Sequence, residues 1–273
     1  MPTPVIAFSH ANGFPAGTYR QHFEIWRAAG YRVIAVERYG HDPAYPVTNN
    51  WPRLRDQLLD LIQRESPGQA VHLVGHSLGG YLSLLAACKK PGLARSVVLI
   101  DSPLLTGWKA RSVQAMKLGG LIRRVSPGRI SYKRRWQWPS KQAAFEHFAA
   151  KHAFARWEPE VLRDYIACGT EPDPEATDRQ AVRLAFHRDI ETRIYNSLAH
   201  NLSAVLQRHP PKCPFSYLAG TQSAESRTVG LAATRALVLE RINWVEGSHL
   251  FPMEKPQETA AHVLRLIDEA ERR

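Results

Sequence analysis

The chemistry of this chain can be traced from one serine, in the run Gly75-His76-Ser77-Leu78-Gly79-Gly80. The run contains Gly-x-Ser-x-Gly, follows the apolar stretch Val71–Val74 and precedes a helical pattern that begins near Leu78. A serine on a tight strand-to-helix turn has a strained backbone, and small flanking residues are needed to fit it. The turn lifts the hydroxyl above the sheet, and the helix N-terminus offers free N–H groups to a developing oxyanion. We therefore predict that Ser77 is a nucleophile.

A serine hydroxyl is a poor nucleophile at neutral pH, so a base must accompany it. The run Gly247-Ser248-His249-Leu250-Phe251-Pro252 places a histidine in a loop between the last predicted strand and the last predicted helix. The other eleven histidines lie in no comparable context. We predict that His249 is the base, and that His76, whose side chain should point away from Ser77, is a packing neighbour.

The third member of such a site is a carboxylate that orients the histidine and stabilises its imidazolium form. Two candidates follow predicted strands: Asp101 comes directly after Ser96–Ile100, and Glu225 lies in the segment after Phe215–Gly220. We favour Asp101 because it stands at the carboxyl end of a strand next to the nucleophile's strand, where open α/β sheets build their sites. Glu225 remains the alternative acid.

A tetrahedral intermediate also needs two donors for its oxyanion. The turn-rich segment Ser9-His10-Ala11-Asn12-Gly13-Phe14-Pro15 follows the first strand. We predict that the backbone N–H of Asn12 and that of Leu78 form this oxyanion hole.

Strand and helix patterns alternate through the first hundred residues and place these side chains. The predicted strands are Val5–Phe8, Arg32–Val36, Val71–Gly75 and Ser96–Ile100, and the predicted helices are Gln21–Ala29, Leu54–Gln63 and Leu78–Lys90. This order implies parallel strands joined by right-handed crossovers and covered by helices on both faces. After Pro214 the pattern resumes with the strands Phe215–Ala219 and Arg241–Val245 and the closing helix Glu258–Glu271.

Between the two strand-rich parts the pattern changes. No good strand is visible from Pro103 to His209, whereas helical patterns cover Ala143–Phe154, Glu160–Cys168 and a long stretch near Arg179–Leu206. We predict an α/β core of residues 1–102 and 213–273, interrupted by an all-helical insert of residues 103–212 (hereafter the insert).

The insert also carries most of the charge. The chain has a net charge of +11, and residues 103–212 contain 19 Lys and Arg against 10 Asp and Glu. Such a bias is typical of proteins that meet nucleic acid, an anionic surface or an acidic ligand. The run Arg123–Trp138 interleaves basic and aromatic residues, but it contains no recognised nucleic-acid motif. We interpret it as a solvated face and expect no nucleic-acid partner.

Composition excludes several classes of protein. A hydrophobic fraction of 44% is ordinary for a globular chain, and no apolar run reaches the ~20 residues that a membrane helix needs. The three cysteines are scattered, and no metal-binding or nucleotide-binding motif is present, so we expect no metal and no cofactor. The start of the chain lacks a signal-peptide pattern, so the expected location is cytoplasmic. The oligomeric state is left open.

The order of the oxyanion loop, the serine run, Asp101 and the His249 loop resembles the α/β-hydrolase fold superfamily over nearly the whole chain. Ala11 stands where the family usually has glycine, and Glu37–Asp42 is a loose version of its Asp-x-Arg-Gly turn. The resemblance implies that the insert is a helical cap. The chain begins at the family's third strand, which implies about six strands, without the first two. The usual acid position after Phe215–Ala219 lacks an aspartate, and Asp101 fits a family variant with the acid one sheet strand earlier.

The resemblance narrows the expected reaction. Family members with an aspartate nucleophile, the haloalkane dehalogenases and epoxide hydrolases, are excluded by Ser77. We expect a serine hydrolase of the carboxylesterase type that cleaves an ester-type bond of a small acyl substrate. A thioesterase, lactonase, C–C bond hydrolase or lyase remains an alternative on the same frame. The non-enzymatic alternative is a ligand receptor or nucleic-acid binder that uses the basic insert. We expect four residues to line the substrate pocket, namely His10, His76, Trp108 and Phe251.

Overall fold

Strands and helices alternate along the first hundred residues. The computed structural model describes residues 2–239 and 241–272. The elements of this first part are β1 (Val5–Ser9), a 3-10 helix (Ala16–Tyr19), α1 (Arg20–Ala28), β2 (Arg32–Ala35), α2 (Pro52–Glu65), β3 (Val71–His76), α3 (Leu78–Lys89) and β4 (Ala94–Ile100).

The insert follows β4, and all of its residues are described. Its helices are α4 (Gly107–Leu118), α5 (Ile122–Val125), α6 (Gly128–Lys133), α7 (Lys141–Ala149), α8 (Pro159–Gly169), α9 (Arg188–Asn196) and α10 (Leu202–Arg208). Its strands are β5 (Gln137–Trp138), β6 (Thr170–Pro172) and β7 (Val182–Leu184).

The chain then returns to the first sheet. The last elements are β8 (Phe215–Gly220), α11 (Ala224–Val229), α12 (Ala232–Val238), β9 (Ile242–Val245), α13 (Phe251–Glu254) and α14 (Pro256–Glu271). Within residues 2–239 and 241–272, no helix has both the length and the apolar character needed to cross a membrane.

The main sheet has six parallel strands in the order β2-β1-β3-β4-β8-β9. This arrangement confirms the predicted α/β class and the predicted number of strands. The strand that precedes Ser77, β3, lies between β1 and β4, so the carboxyl ends of these three strands meet at one edge. The segments that follow them carry Asn12, Ser77 and Asp101.

Each strand contributes to two hydrophobic cores, one on each face of the sheet. In β4, Val97 and Leu99 pack with the side chains of α2 and α3, whereas Val98 and Ile100 pack with those of α1 and α14. Successive side chains of a strand point to opposite faces, so a strand covered on both sides is apolar throughout. This double burial explains the continuous apolar run at residues 97–100.

The insert is not all-helical, which corrects the prediction. Its three strands form an antiparallel sheet in the order β5-β7-β6. The long helix expected near Arg179–Leu206 is divided among β7, α9 and α10. Strands of two or three residues are too short to show an alternating pattern, so no sequence pattern indicated them. These strands are stabilised by the burial of their side chains instead, since Trp138, Val182 and Leu184 are all buried.

Candidate active site

Ser77 lies on the sharp turn between β3 and α3. Its φ of +53° is in a region that residues with a Cβ rarely adopt. Two glycines make room for this turn: a Cβ on Gly75 would lie 2.2 Å from the backbone of Gly79, and a Cβ on Gly79 would lie 1.9 Å from the carbonyl oxygen of Ser9. The N–H of Ser77 donates to the carbonyl of Ile100 at 3.0 Å. The glycines thus allow a strained turn that neighbouring strands hold in place.

His249 lies in the loop between β9 and α13 and contacts both other members of the predicted triad. Its Nε2 is 3.0 Å from the Oγ of Ser77, and its Nδ1 is 2.7 Å from the Oδ2 of Asp101. An ionised carboxylate only accepts, so Nδ1 carries the proton and Nε2 of the neutral ring can accept from the serine hydroxyl. Burial alone would lower the pKa of His249, but the hydrogen bond and charge of Asp101 outweigh it, and the pKa is raised.

Asp101 follows β4 and is completely buried. A buried carboxylate is costly unless it is paired and hydrogen-bonded. Besides His249, it accepts from the N–H of Gly220 at 3.2 Å and from the hydroxyls of Ser223 and Ser226. Burial would raise the pKa of Asp101, but the hydrogen bond and charge of His249, followed by the other donors, lower it. The site therefore holds Asp101 as an anion.

Two serines that bind Asp101 were not predicted from the sequence. Ser223 caps α11, where its Oγ accepts from the N–H of Ser226 at 3.0 Å while donating to Asp101. The hydroxyl of Tyr217 in β8 lies 3.1 Å from the Oγ of Ser226. One sequence feature could have indicated this role for Ser223. It lies in the loop after β8, where the family usually has the acid.

Glu225, the alternative acid, lies on the more exposed side of His249. Its Oε2 is 3.8 Å from Nδ1, and its side chain is 49% exposed. The Nδ1 proton is directed to Asp101, which is more than 1 Å closer. Ligand atoms of Asp101, Glu225 and His249 lie within 4.8 Å of one another, close enough to hold a metal ion. The protonated Nδ1 offers a metal no lone pair, however, so the hydrogen-bonded arrangement favours proton transfer with Asp101 as the acid.

The proposed oxyanion donors lie beside the serine turn. Ser9 at the end of β1 pairs in register with Gly75, so the loop that carries Asn12 leaves the sheet next to Ser77. The N–H of Ala11 donates to the hydroxyl of Tyr19 at 3.2 Å and is occupied. Among the described residues, no acceptor is assigned to the N–H of Asn12 or to that of Leu78 at the start of α3. First-turn N–H groups of a helix have no partner within the helix.

A buried ion pair from the insert holds the loop of Asn12. The Nδ2 of Asn12 donates to the backbone carbonyl of Glu191 in α9 at 3.0 Å. The carboxylate of Glu191 packs on Gly13, where an added Cβ would lie 2.9 Å from Oε1. Arg134 pairs with this carboxylate at 2.8 Å, and both side chains are mostly buried. Burial raises the pKa of Glu191, although the charge of Arg134 opposes the shift.

A cavity of about 420 Å³ reaches Ser77 and His249. Its walls come mainly from α4, α5, α11 and the segment 101–105 after β4. The apolar lining residues include Leu105, Val113, Met116, Ile122, Val125, Pro127, Leu198, Ala224 and Val229. Asp101 and Glu225 also line it, and no Lys or Arg occurs among its described lining residues. The cavity therefore suits an uncharged, apolar group.

The two histidines expected in the pocket do not line this cavity. His10 is fully buried: its Nδ1 donates to the carbonyl of Ala11 at 2.8 Å, and its Nε2 accepts from the N–H of Tyr39 at 3.1 Å. Burial lowers the pKa of His10 to about 4. His76 is also fully buried, behind the serine turn. Both were wrong as pocket residues because their rings serve hydrogen bonds inside the core.

Trp108 and Phe251 were also wrong as pocket residues. Trp108 is 72% exposed on α4, and the cavity is instead lined by Val113 and Met116 of the same helix. Phe251 is completely buried at the start of α13, packed in the core with α14. The face of a short insert helix that meets the core is set by tertiary packing, which the sequence pattern did not show.

His76 instead connects two loops of the site. Its Nε2 is 2.9 Å from the backbone oxygen of His249, and its Nδ1 is 2.7 Å from the hydroxyl of Tyr19. A carbonyl only accepts, so Nε2 carries the proton. Burial, reinforced by the charge of His249, lowers the pKa of His76 to about 3, so the ring is neutral and Nδ1 accepts from Tyr19. Because Tyr19 also accepts from Ala11, one hydrogen-bonded chain joins the oxyanion loop to the His249 loop.

Comparison with known proteins identifies related chains. A model of the alpha/beta hydrolase family matches residues 6–262. Human monoglyceride lipase is 33% identical over 110 residues, which are 38% of this chain and 36% of the lipase. The chain thus matches about a third of that curated relative's length.

Solved structures share the fold at low identity. The structure of E-2-(acetamidomethylene)succinate hydrolase has a TM-score of 0.75 at 21% identity, covering 97% of this chain and 91% of that one. The thioesterase domain from the curacin biosynthetic pathway has a TM-score of 0.72 at 20% identity, covering 96% and 91%.

The buried Arg134–Glu191 pair yields a prediction about stability. Arg134→Met leaves the Glu191 carboxylate buried without its partner, so we expect a loss of about 3 kcal/mol of unfolding free energy. Urea unfolding followed by circular dichroism measures it. Lys133→Met, at the exposed neighbouring position, is the matched control and should change stability little. Equal midpoints for the two variants would show that the pair does not stabilise the folded protein.

Proposed function

Because this chain belongs to the alpha/beta hydrolase family, we propose that it is a serine hydrolase that cleaves ester bonds through an acyl-enzyme. One observation carries the proposal: the hydrogen-bonded chain from Asp101 through His249 to Ser77, with distances of 2.7 Å and 3.0 Å. This is the arrangement that activates a serine for acyl transfer.

In the proposed reaction, His249 takes the proton of Ser77 as the hydroxyl oxygen attacks the ester carbonyl. The N–H groups of Asn12 and Leu78 stabilise the oxyanion that forms. The imidazolium, stabilised by Asp101, then protonates the leaving alcohol as the C–O bond breaks. A water molecule, deprotonated by His249, hydrolyses the acyl-enzyme and regenerates Ser77.

The cavity supports an uncharged acyl substrate. Its lining is mainly apolar, and the charged side chains among its described lining residues are the carboxylates of Asp101 and Glu225. A substrate carboxylate would be repelled by these groups, which argues against a dianion such as the one named for the acetamidomethylene-succinate hydrolase. The partial likeness to monoglyceride lipase agrees with a neutral ester that carries an apolar chain. A thioesterase, a lactonase, a C–C bond hydrolase and a lyase remain alternatives on the same triad.

The nucleophile can be tested by covalent labelling. A fluorophosphonate should form one adduct per chain, on Ser77, because only an activated serine attacks phosphorus readily. Intact mass and peptide mapping locate the adduct. Ser77→Ala should abolish it, whereas Ser112→Ala, at an exposed position on α4, should not. A stoichiometric adduct elsewhere, or none, contradicts the proposal.

The acid can be tested by comparing Asp101→Asn with Glu225→Gln. We expect kcat to fall about 10⁴-fold in the first variant, since the imidazole loses its orienting anion, and only slightly in the second. The base acts when it is neutral. Because the pKa of His249 is raised from the ordinary histidine value of 6.5, the acidic limb of the kcat/KM profile should lie above pH 6.5. Removing the charge of Asp101 should move that limb to lower pH. A larger loss in Glu225→Gln would identify Glu225 as the acid.

Substrate class can be tested with a panel of esters and their thioester analogues. For p-nitrophenyl esters, kcat/KM should rise with acyl chain length as apolar carbons fill the cavity, by up to about fourfold for each CH₂ that is fully buried. A hemisuccinate ester, which adds a carboxylate, should react more slowly than the neutral ester of equal length. Preference for the hemisuccinate would contradict the proposed uncharged substrate, and preference for thioesters would favour the thioesterase alternative.

A further inference from the structure

The positive charge of the insert is concentrated in one part of it. Residues 103–145 contain ten Lys and Arg and no Asp or Glu, whereas the rest of the insert contains nine Lys and Arg and ten Asp and Glu. This basic segment comprises α4, α5, α6 and β5 and ends within α7. The charge is therefore a property of the first helices of the insert.

Large apolar side chains are exposed on the same segment. Six of the eight exposed large hydrophobic residues in the described part of the chain lie here: Trp108, Leu118, Leu121, Val125, Ile130 and Tyr132. Leu118 is 83% exposed and Ile130 is 75% exposed. Single exposed apolar residues need no explanation, but several on one short segment indicate an interaction surface.

The basic segment also forms the wall of the cavity. Val113 and Met116 of α4 and Ile122 of α5 line the cavity, while Trp108 and Leu118 of α4 are exposed to solvent. Val125 does both: it lines the cavity and is 61% exposed. It therefore marks an opening of the cavity within the exposed apolar surface.

Six of the segment's ten cations form no hydrogen bond or ion pair with the described residues. The other four have partners inside the protein, and the segment's one ion pair among the described residues is that of Arg134. Arg123, Arg129 and Lys133 line a neighbouring groove whose described lining includes a single carboxylate, that of Asp189. Because no Lys or Arg is among the described lining of the active-site cavity, these cations do not line the space for a bound substrate.

We propose that the basic segment docks the protein on an anionic phospholipid surface, with Val125 at the point where an apolar substrate leaves the lipid for the cavity. Lys and Arg side chains provide attraction to acidic headgroups, and the exposed apolar residues insert at the headgroup–acyl boundary. A surface that binds by both kinds of contact explains why cations and hydrophobic side chains occur together here. The docking is a property beyond the proposed ester hydrolysis. Vesicle binding can be measured without the hydrolytic activity.

Vesicle binding by the full-length protein tests the docking. The probes are vesicles of phosphatidylcholine alone and of an equal mixture with phosphatidylglycerol, in low and high salt. We expect binding to the anionic vesicles that weakens with salt. Neutralising two cations in Arg123→Gln/Arg124→Gln should weaken it about tenfold or more, and Leu118→Ser/Ile130→Ser should also weaken it.

Matched variants on the core separate this surface from general effects. Lys89→Gln/Lys90→Gln removes two exposed cations, and Leu239→Ser removes an exposed apolar side chain, both outside the insert. These controls should bind vesicles like the unaltered protein. All variants should hydrolyse p-nitrophenyl acetate at unchanged rates, which distinguishes loss of docking from loss of the proposed esterase activity.

Three results would overturn the docking surface. The first is equal weakening by the core and insert variants. The second is no binding to anionic vesicles while ester hydrolysis is intact. The third is tight, salt-sensitive binding of DNA or RNA that depends on Arg123 and Arg124 without any vesicle binding. Vesicle binding without ester hydrolysis would support the surface and contradict the proposed function instead.

Discussion

The buried charge of Asp101 is the constraint on which the rest of the site depends. Its carboxylate stays ionised because donors from the β8–α11 segment and from the His249 loop meet it at the end of β4. A second carboxylate in place of Ser223 would stand at hydrogen-bond distance from Asp101, and two anions cannot both be ionised there. The position of Asp101 after β4 therefore favours neutral donors, rather than a second carboxylate, in the segment after β8.

The insert contributes to the site as well as covering it. Through Glu191, helix α9 holds both the side chain of Asn12 and the backbone of Gly13. The loop proposed to bind the oxyanion thus rests on a helix that also carries Tyr195, a cavity-lining residue. Substrate pocket and oxyanion loop share one support, so repacking of α9 would change both binding and chemistry.

The sequence predicted the features that follow a regular hydrophobic pattern and those at positions where few residue types fit. The six strands were visible because a strand buried on both faces is a continuous apolar run, as in Val97–Ile100. The turn at Ser77 was visible because close backbone approach excludes any side chain at Gly75 and Gly79. The short strands of the insert had no period to detect, and the contacts of Ser223 arise between segments distant in sequence. Trp108 was wrong as a pocket residue because packing of the insert, rather than residue type, decides which side of α4 meets the cavity. His10, His76 and Phe251 were wrong because all three are buried in the core.

The chain of hydrogen bonds through Tyr19 and His76 has a consequence for how related sequences can differ. Each ring in it accepts one hydrogen bond and donates one. The direction of donation is fixed, from the N–H of Ala11 to the carbonyl of His249. Replacing either ring by an apolar residue leaves two of its polar partners without a hydrogen bond. Replacing both leaves only the end groups, the N–H of Ala11 and the carbonyl of His249, so the second replacement adds little further cost. The two positions are therefore expected to change together in evolution, so that an alignment of homologues should show them as a covarying pair.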